Sequence, residues 1–163
     1  MIPIQDLFET HLNVGDLSRS IVFYADTLGL ELAQFLADRK IAFYWVGGRG
    51  NSMLGLWQAQ PGSPVQPLHI AFRVELADML RAHDQLRAAN IAPLDFDRKP
   101  TTEPVVLAWM PAASLYFYDP DGHLLEFLSM LPDSPEPHLG IVGWSAWKNR
   151  DVAHLLGESE SKG

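Results

Sequence analysis

The stretch that decides the fold is LYFYDPDGHLLEFLSM, Leu115 to Met130. In Asp119-Pro120-Asp121-Gly122 the proline fixes φ and the glycine accepts positive φ, so the segment predicts a tight turn between two antiparallel strands. Alternation then places Leu124, Glu126, Leu128 and Met130 on one face of the second strand and His123, Leu125, Phe127 and Ser129 on the other. Glu126 is flanked by large apolar groups either way. An ionised carboxylate in such surroundings needs a counter-charge, either a basic side chain such as Arg73 or Lys99 or a bound cation.

Upstream of this hairpin the chain reads as two similar units. DLFETHLNV predicts a strand, Asp16 an N-cap, and Leu17, Ile21, Tyr24 and Leu28 a helix stopped at Gly29. LELAQFLAD, IAFYWVG and SMLGLWQAQ then predict a three-stranded meander, which completes a βαβββ order. The proline-rich QPGSPVQP reads as a linker. After it the order repeats, with PLHIAFRV as a strand, Glu75 to Asn90 as a helix, APLDF as a strand, a longer connection from Asp97 to Ala113, and the hairpin above. HLNVGDL and HIAFRVEL open the two units with histidines 58 positions apart, and AFYW and LYFY precede the last strand of each. The expected organisation is a first βαβββ module over 1–60, a linker over 61–67, a second module over 68–131 and a C-terminal extension over 132–163. The fold class is α+β, with the two tandem modules forming a curved cup of mixed sheet.

Composition narrows the function. The chain has 20 acidic against 12 basic residues, a net charge near -8, which argues against a nucleic-acid partner. No apolar run approaches the roughly 20 residues that span a bilayer, and the start MIPIQDLFET lacks the pattern of a secretory signal, so no membrane partner and a cytoplasmic location are expected. Cysteine is absent, so any metal ligand must be imidazole or oxygen.

Two of the six histidines stand apart. In the first strand, Phe8, Leu12 and Val14 form the face that the helix covers, so His11, with Glu9 and Asn13, points the other way. His69 occupies the matching place in the second unit, where Leu68, Ile70, Phe72 and Val74 face the helix and His69, Ala71 and Arg73 do not. If the two sheets curve toward a common hollow, both imidazoles and Glu126 face into it. Two histidines and one glutamate suit a facial site for Zn, Mn, Ni, Fe or Co, with positions left open for a ligand. Met53, Trp57 and Tyr116 share faces with this site and are candidate pocket residues. Arg73 is placed to hold an anionic group of a small-molecule substrate, and Tyr116 or Glu9 could move a proton.

The chain resembles the vicinal oxygen chelate superfamily, the group of glyoxalase I, bleomycin resistance proteins and extradiol dioxygenases. The likeness covers about residues 5 to 130 and rests on HLNVGDLSRSIVFYADTLGLEL, similar to the family's opening strand and helix, and on LYFYDPDGHLLEF, similar to its closing hairpin. It implies that His11, His69 and Glu126 are the metal ligands. It also implies a homodimer in which a cup draws strands from both chains. Aligning SMLGLW with HLLEFL puts Gly55 where glyoxalase I has a fourth, carboxylate ligand. The three-ligand pattern is more similar to the fosfomycin resistance proteins, which have residues near substrate at the positions of Ser114 and Tyr116. Asn13 stands where those proteins have a threonine, and LPDSPEP replaces the arginine expected beyond the closing glutamate.

The function implied is a divalent-metal-dependent lyase, isomerase or epoxide-opening transferase acting on a small molecule chelated through neighbouring oxygens. The alternatives are a drug-sequestering protein without chemistry and an iron-dependent ring-cleaving dioxygenase.

Overall fold

The computed structural model describes the backbone of residues 1–157 and the side chains of residues 1–150. Two compact units are present: residues 1–68 together with the turn 119–123, and residues 69–118 together with the chain from Leu124 onward.

The first unit is a four-stranded sheet, in the order β1-β4-β3-β2, with one helix. Strand β1 (Glu9–Val14) pairs in parallel with β4 (Ser52–Gln58), and β3 (Ile41–Val46) joins β4 to β2 (Glu31–Leu36) in antiparallel fashion. The parallel pair arises because α1 (Leu17–Val22) crosses over between β1 and the meander. Asp16 caps α1 by accepting the Arg19 amide at 3.1 Å, as the sequence predicts. Beyond Val22 the helix widens into a π turn, Phe23–Thr27, and ends at Gly29 with φ 68°. Leu12, Val14, Leu17, Tyr24, Tyr44, Leu54 and Leu56 are buried and form the core of this unit.

The turn 119–123 is tied into the same unit. Asp119 Oδ1 accepts the amides of Asp121 and His123 at 2.9 and 2.8 Å, and its Oδ2 accepts the Tyr24 hydroxyl at 3.0 Å. Asp121 accepts the Gly15 amide at 2.9 Å, the Arg19 guanidinium at 2.7 Å and the Ser20 hydroxyl at 3.1 Å. The His123 side chain is fully buried; its Nδ1 accepts the Leu68 amide at 3.0 Å, so its Nε2–H donates to the Asn13 carbonyl at 2.8 Å. Gly122 has φ 85°, the conformation the turn requires.

The second unit repeats the order as β5-β8-β7-β6 and adds β9 at its edge. Strand β5 (His69–Arg73) pairs in parallel with β8 (Leu124–Met130), which pairs antiparallel with β7 (Ala112–Tyr118). Helix α2 (Leu76–Ala88) packs on β7 and β8. Its Met79, Ala82 and Leu86 are buried, as are Leu115, Phe117 and Leu125 on those strands.

Two sequence expectations are corrected in this unit. APLDF forms no strand, because Leu94 alone makes isolated bridges, to Pro100 and Tyr116. The strand β6 (Val105–Leu107) lies instead within the expected irregular connection. Proline 93 and the turn at Asp95–Lys99, where Arg98 takes φ 64°, interrupt any regular ladder there. The extension adds structure to this sheet: β9 (Ile141–Gly143) pairs with β6 and leads into α3 (Trp144–Gly157). Trp147 is 1% exposed, and the Arg150 guanidinium lies 3.9 Å from the centre of its ring. His154 lies outside the described side chains.

Candidate metal centre

Register across the second sheet collects one set of side chains on the face away from α2. Paired residues share a face, so Ala71, Glu126 and Tyr116 form one row and Arg73, Leu128, Ser114, Val105 and Gly143 the next. His69 lies two residues before Ala71 on that same face.

Glu126 is 4% exposed, its Oε2 is 3.1 Å from His69 Nε2, and its Oε1 is buried without a hydrogen-bond partner. Among the described residues neither Arg73 nor Lys99 pairs with it; Lys99 reaches Asp97 at 3.3 Å instead. The second nitrogen of His69 explains what the pair can hold. Its Nδ1 lies 3.1 Å from the Leu124 carbonyl, which can only accept, so Nδ1 carries a proton, and in the neutral tautomer the Nε2 lone pair faces the carboxylate. Two acceptors face each other, and a proton or a cation must sit between them. A backbone carbonyl fixing one imidazole nitrogen so that the other can ligate is the usual support of a metal-binding histidine. These residues fit a divalent ion.

Tyr116 lies cross-strand from Glu126, with its ring centre 6.1 Å from that of His69. Burial, then the Glu126 charge, push its phenol above the ordinary range. It is therefore a phenol at neutral pH, suited to donating a proton and unsuited to acting as a base. The Ser114 hydroxyl is near enough to oppose part of that shift, yet it is buried and makes no well-formed hydrogen bond. Arg73 is exposed on β5 and has no ion-pair partner among the described residues.

In the first unit, the face away from α1 carries Glu9, His11 and Asn13 on β1 beside Met53, Gly55 and Trp57 on β4. The His11 ring lies 5.1 Å from the Trp57 ring and 6.1 Å from Phe43, and its Nε2 contacts the Glu9 carboxylate. Met53 and Trp57 are half-buried, and Trp57 Nε1 is buried without a partner. Gly55 is directly opposite His11, and a Cβ there would lie 2.6 Å from His11 Cδ2. The imidazole thus occupies the space that a side chain at position 55 would need, so a fourth ligand there is incompatible with His11 as placed. Gly55→Ala is expected to cost about 1–3 kcal/mol, from the clash with the imidazole and with Phe43. With His11 as a metal ligand, metal affinity would fall at least about tenfold, as when the support of a ligand is disturbed. Thermal melting and a metal titration check both.

The structure thus brings His69, Glu126, Tyr116, Ser114 and Arg73 to one sheet face, and His11, Glu9, Asn13, Met53 and Trp57 to a face of the other unit. Within neither unit are three His, Asp or Glu side chains gathered as a metal cluster among the described residues. Sequence reasoning missed the Leu124 carbonyl, which no residue pattern encodes. It also missed Phe96, whose ring meets Tyr116 edge-on at 6.1 Å; an aromatic between two aspartates in a turn was the available signal.

Comparison with known proteins agrees with this architecture. The Glyoxalase/Bleomycin resistance protein/Dioxygenase superfamily matches residues 6–127, most of the chain. The chain belongs to this superfamily. Metallothiol transferase FosB of Lysinibacillus sphaericus is 27% identical to it over 128 residues, covering 77% of this chain and 83% of that protein. Among solved structures, an integron cassette protein from the mobile metagenome of the Halifax Harbour sewage outfall is 34% identical, with a TM-score of 0.68, over 78% of this chain and 100% of that one. Lactoylglutathione lyase of Agrobacterium tumefaciens shares the fold at 23% identity and a TM-score of 0.60, over 78% of this chain and 96% of that one. The superfamily match ends at residue 127, so β9 and α3 lie beyond it.

Buried phenols give this superfamily member a distinct alkaline limit. Burial and, after it, Asp26 push Tyr44 up to about 12; burial and Asp119 push Tyr24 higher still. A native state that keeps phenol protons the unfolded chain releases is fully stabilised below about pH 10 and loses that stability as pH rises further. Urea midpoints are expected to be level from pH 8 to 9.5 and to fall steeply above about pH 10. A Tyr44→Phe variant should fall less steeply.

Proposed function

We propose that the protein is a divalent-metal-dependent enzyme in which His11, His69 and Glu126 hold one Zn, Mn, Ni, Fe or Co ion. The observation that carries this reading is the buried Glu126 carboxylate, one oxygen without a hydrogen-bond partner and the other 3.1 Å from Nε2 of a histidine whose Nδ1 is held by a main-chain carbonyl. His11 would complete the set from the same chain or from a second copy in a homodimer. The metal, when bound, supplies Lewis acidity toward two neighbouring substrate oxygens and stabilises the charge that develops on one of them.

The chain's own residues set the rest. Tyr116, held as a phenol by burial and Glu126, donates toward an oxygen that gains negative charge. Ser114 and Asn13 contact the substrate, and Met53 and Trp57 wall the pocket. Arg73 holds an anionic group. The absence of a carboxylate at Gly55 removes the natural proton shuttle for isomerisation next to a carbonyl and favours group transfer. Likeness to a metallothiol transferase supports the same direction. In such a step a thiol sulfur bonds to a substrate carbon, the carbon–oxygen bond of an epoxide breaks, and the thiol proton ends on the freed oxygen.

Among the described residues no helix is long and apolar enough to cross a membrane. We place the enzyme in the cytoplasm, acting on a small molecule.

Equilibrium dialysis of chelator-stripped protein against each divalent ion tests the metal. One ion per chain is expected for wild type and none for Glu126→Ala; wild type without stoichiometric ion would end the proposal. A thermal-shift screen of the loaded protein, followed by turnover assays on each hit, separates catalysis from sequestration. Saturable binding without turnover would favour a sequestering protein.

A further inference from the structure

The geometry points to a second subsite in the β5–β9 unit, one that takes the distal part of the substrate: an apolar, amine-bearing tail, with anionic tails turned away. The inference builds on the proposed metal centre and names a substrate feature that the centre alone does not.

A cavity of about 170 Å³ is lined by Asp95, Phe96, Asp97, Val105 and residues 141–143. At roughly 30 Å³ per water it has room for about six waters, the size of one aromatic ring. Val105 and Gly143 belong to the row that runs through Ser114 and Leu128, on the same face as Glu126 and Tyr116. Strands lie about 4.8 Å apart, so the cavity begins two strands, about 10 Å, from the strand of Glu126. Phe96 continues the path, since its ring meets Tyr116 at 6.1 Å and Tyr116 meets His69 at the same separation. A molecule chelated beside Glu126 and His69 that passes Tyr116 and Phe96 would reach the cavity with its far end.

The far wall comes from the extension, which is fixed in place. Glu103 accepts the Ser145 amide at 3.0 Å and the Ser145 hydroxyl at 2.9 Å, and it sits so close to Gly143 that a Cβ there would collide with it. Phe96 is 51% exposed and Ile141 40%, an aromatic and an aliphatic wall open to a ligand. The charged lining is acidic only. Asp95 caps the Lys99 amide at 2.9 Å, and Asp97 lies 3.3 Å from Lys99 Nζ, which neutralises part of its charge. An anion placed there would be desolvated against two carboxylates, whereas an ammonium over the Phe96 ring gains a cation–π contact.

The test has one arm that needs no metal. Benzylamine and phenylacetate are titrated into the isotope-labelled full chain while the amides of Val142 and Gly143 are followed by NMR. Saturable shifts with benzylamine and none with phenylacetate are expected, with affinity at least about fivefold weaker in Phe96→Ala and the preference for the amine lost in Asp97→Lys. Equal shifts from both probes, or none at these amides, would overturn the subsite. In the second arm acetohydroxamate and [4-(aminomethyl)phenyl]acetohydroxamate are titrated into zinc-loaded protein, and the longer compound is expected to bind about tenfold tighter. No gain from the tail would overturn the link to the substrate. Failure of both hydroxamates to bind, with benzylamine still shifting the amides, would leave the subsite standing and remove the metal centre.

Discussion

Replacing Glu126 by leucine is expected to abolish metal binding and, in protein stripped of divalent ions, to raise stability by about 1–3 kcal/mol. The two effects have one cause. Glu126 is 4% exposed among Leu124, Leu128 and Tyr116, and its Oε1 has no partner. Its ion-pair partner is His69, whose side chain is 47% exposed and returns readily to water, and the Tyr116 phenol lies cross-strand from it. An apolar side chain of similar volume removes the desolvation penalty at the loss of the His69 contact and of the weaker interaction with Tyr116, a change that buried ion pairs often reward. A carboxylate with a purely structural role would behave oppositely, since deleting it would strand its partners. Urea unfolding of wild type and variant in chelator, with metal dialysis beside it, reads both. A loss of stability above about 1 kcal/mol in the metal-free variant would mean that the carboxylate is structural.

The largest loss of stability is expected at Asp119. Its carboxylate is 5% exposed and accepts two amides and the Tyr24 hydroxyl. Alanine there leaves three donors buried or partly buried without their acceptor. Hydrogen bonds to a charged acceptor contribute roughly 1.5–3 kcal/mol each, with incomplete additivity, so a total near 4 kcal/mol is expected. Tyr24, freed from the Asp119 charge, should also ionise at lower pH, because that charge is the second cause of its upward shift. Equilibrium unfolding and phenolate absorbance check the two. A loss under about 1 kcal/mol would show that water replaces the carboxylate at the turn. The site depends on this turn, because β7 and β8 leave it carrying Tyr116 and Glu126 on facing positions.

Much of this was legible before any coordinates. Alternation assigned His11 and His69 to faces turned from the helices, because period 2 is strict once one face is buried; Glu126 sits in a strand apolar on both faces, so alternation alone left its side open. The repeat of order was visible because each unit opens on a histidine strand and has an aromatic strand just before its last one. The βαβββ order implies that the first strand runs parallel to the last, and the structure pairs those two, β1 with β4 and β5 with β8. What stayed hidden was set by contacts remote in sequence. Leu94 looks like a strand residue, yet it makes only isolated bridges, to Pro100 and Tyr116, while the ladder is taken by β6 from Val105. In the extension the strand β9 was not legible, because its place is set by β6 and by Glu103 meeting Ser145. Glu126 was readable as anomalous, but its partner was not: Arg73 shares its face and leaves it alone, while His69 is oriented by a main-chain carbonyl.

Diffraction from crystals of metal-loaded protein, recorded on both sides of the metal's absorption edge, tests the central claim most directly. The account predicts one anomalous peak per chain, about 2.0–2.2 Å from His69 Nε2 and from a Glu126 oxygen, with a His11 nitrogen completing the set. Loaded crystals with no peak beside His69 and Glu126, or with the ion held by other residues, would contradict it.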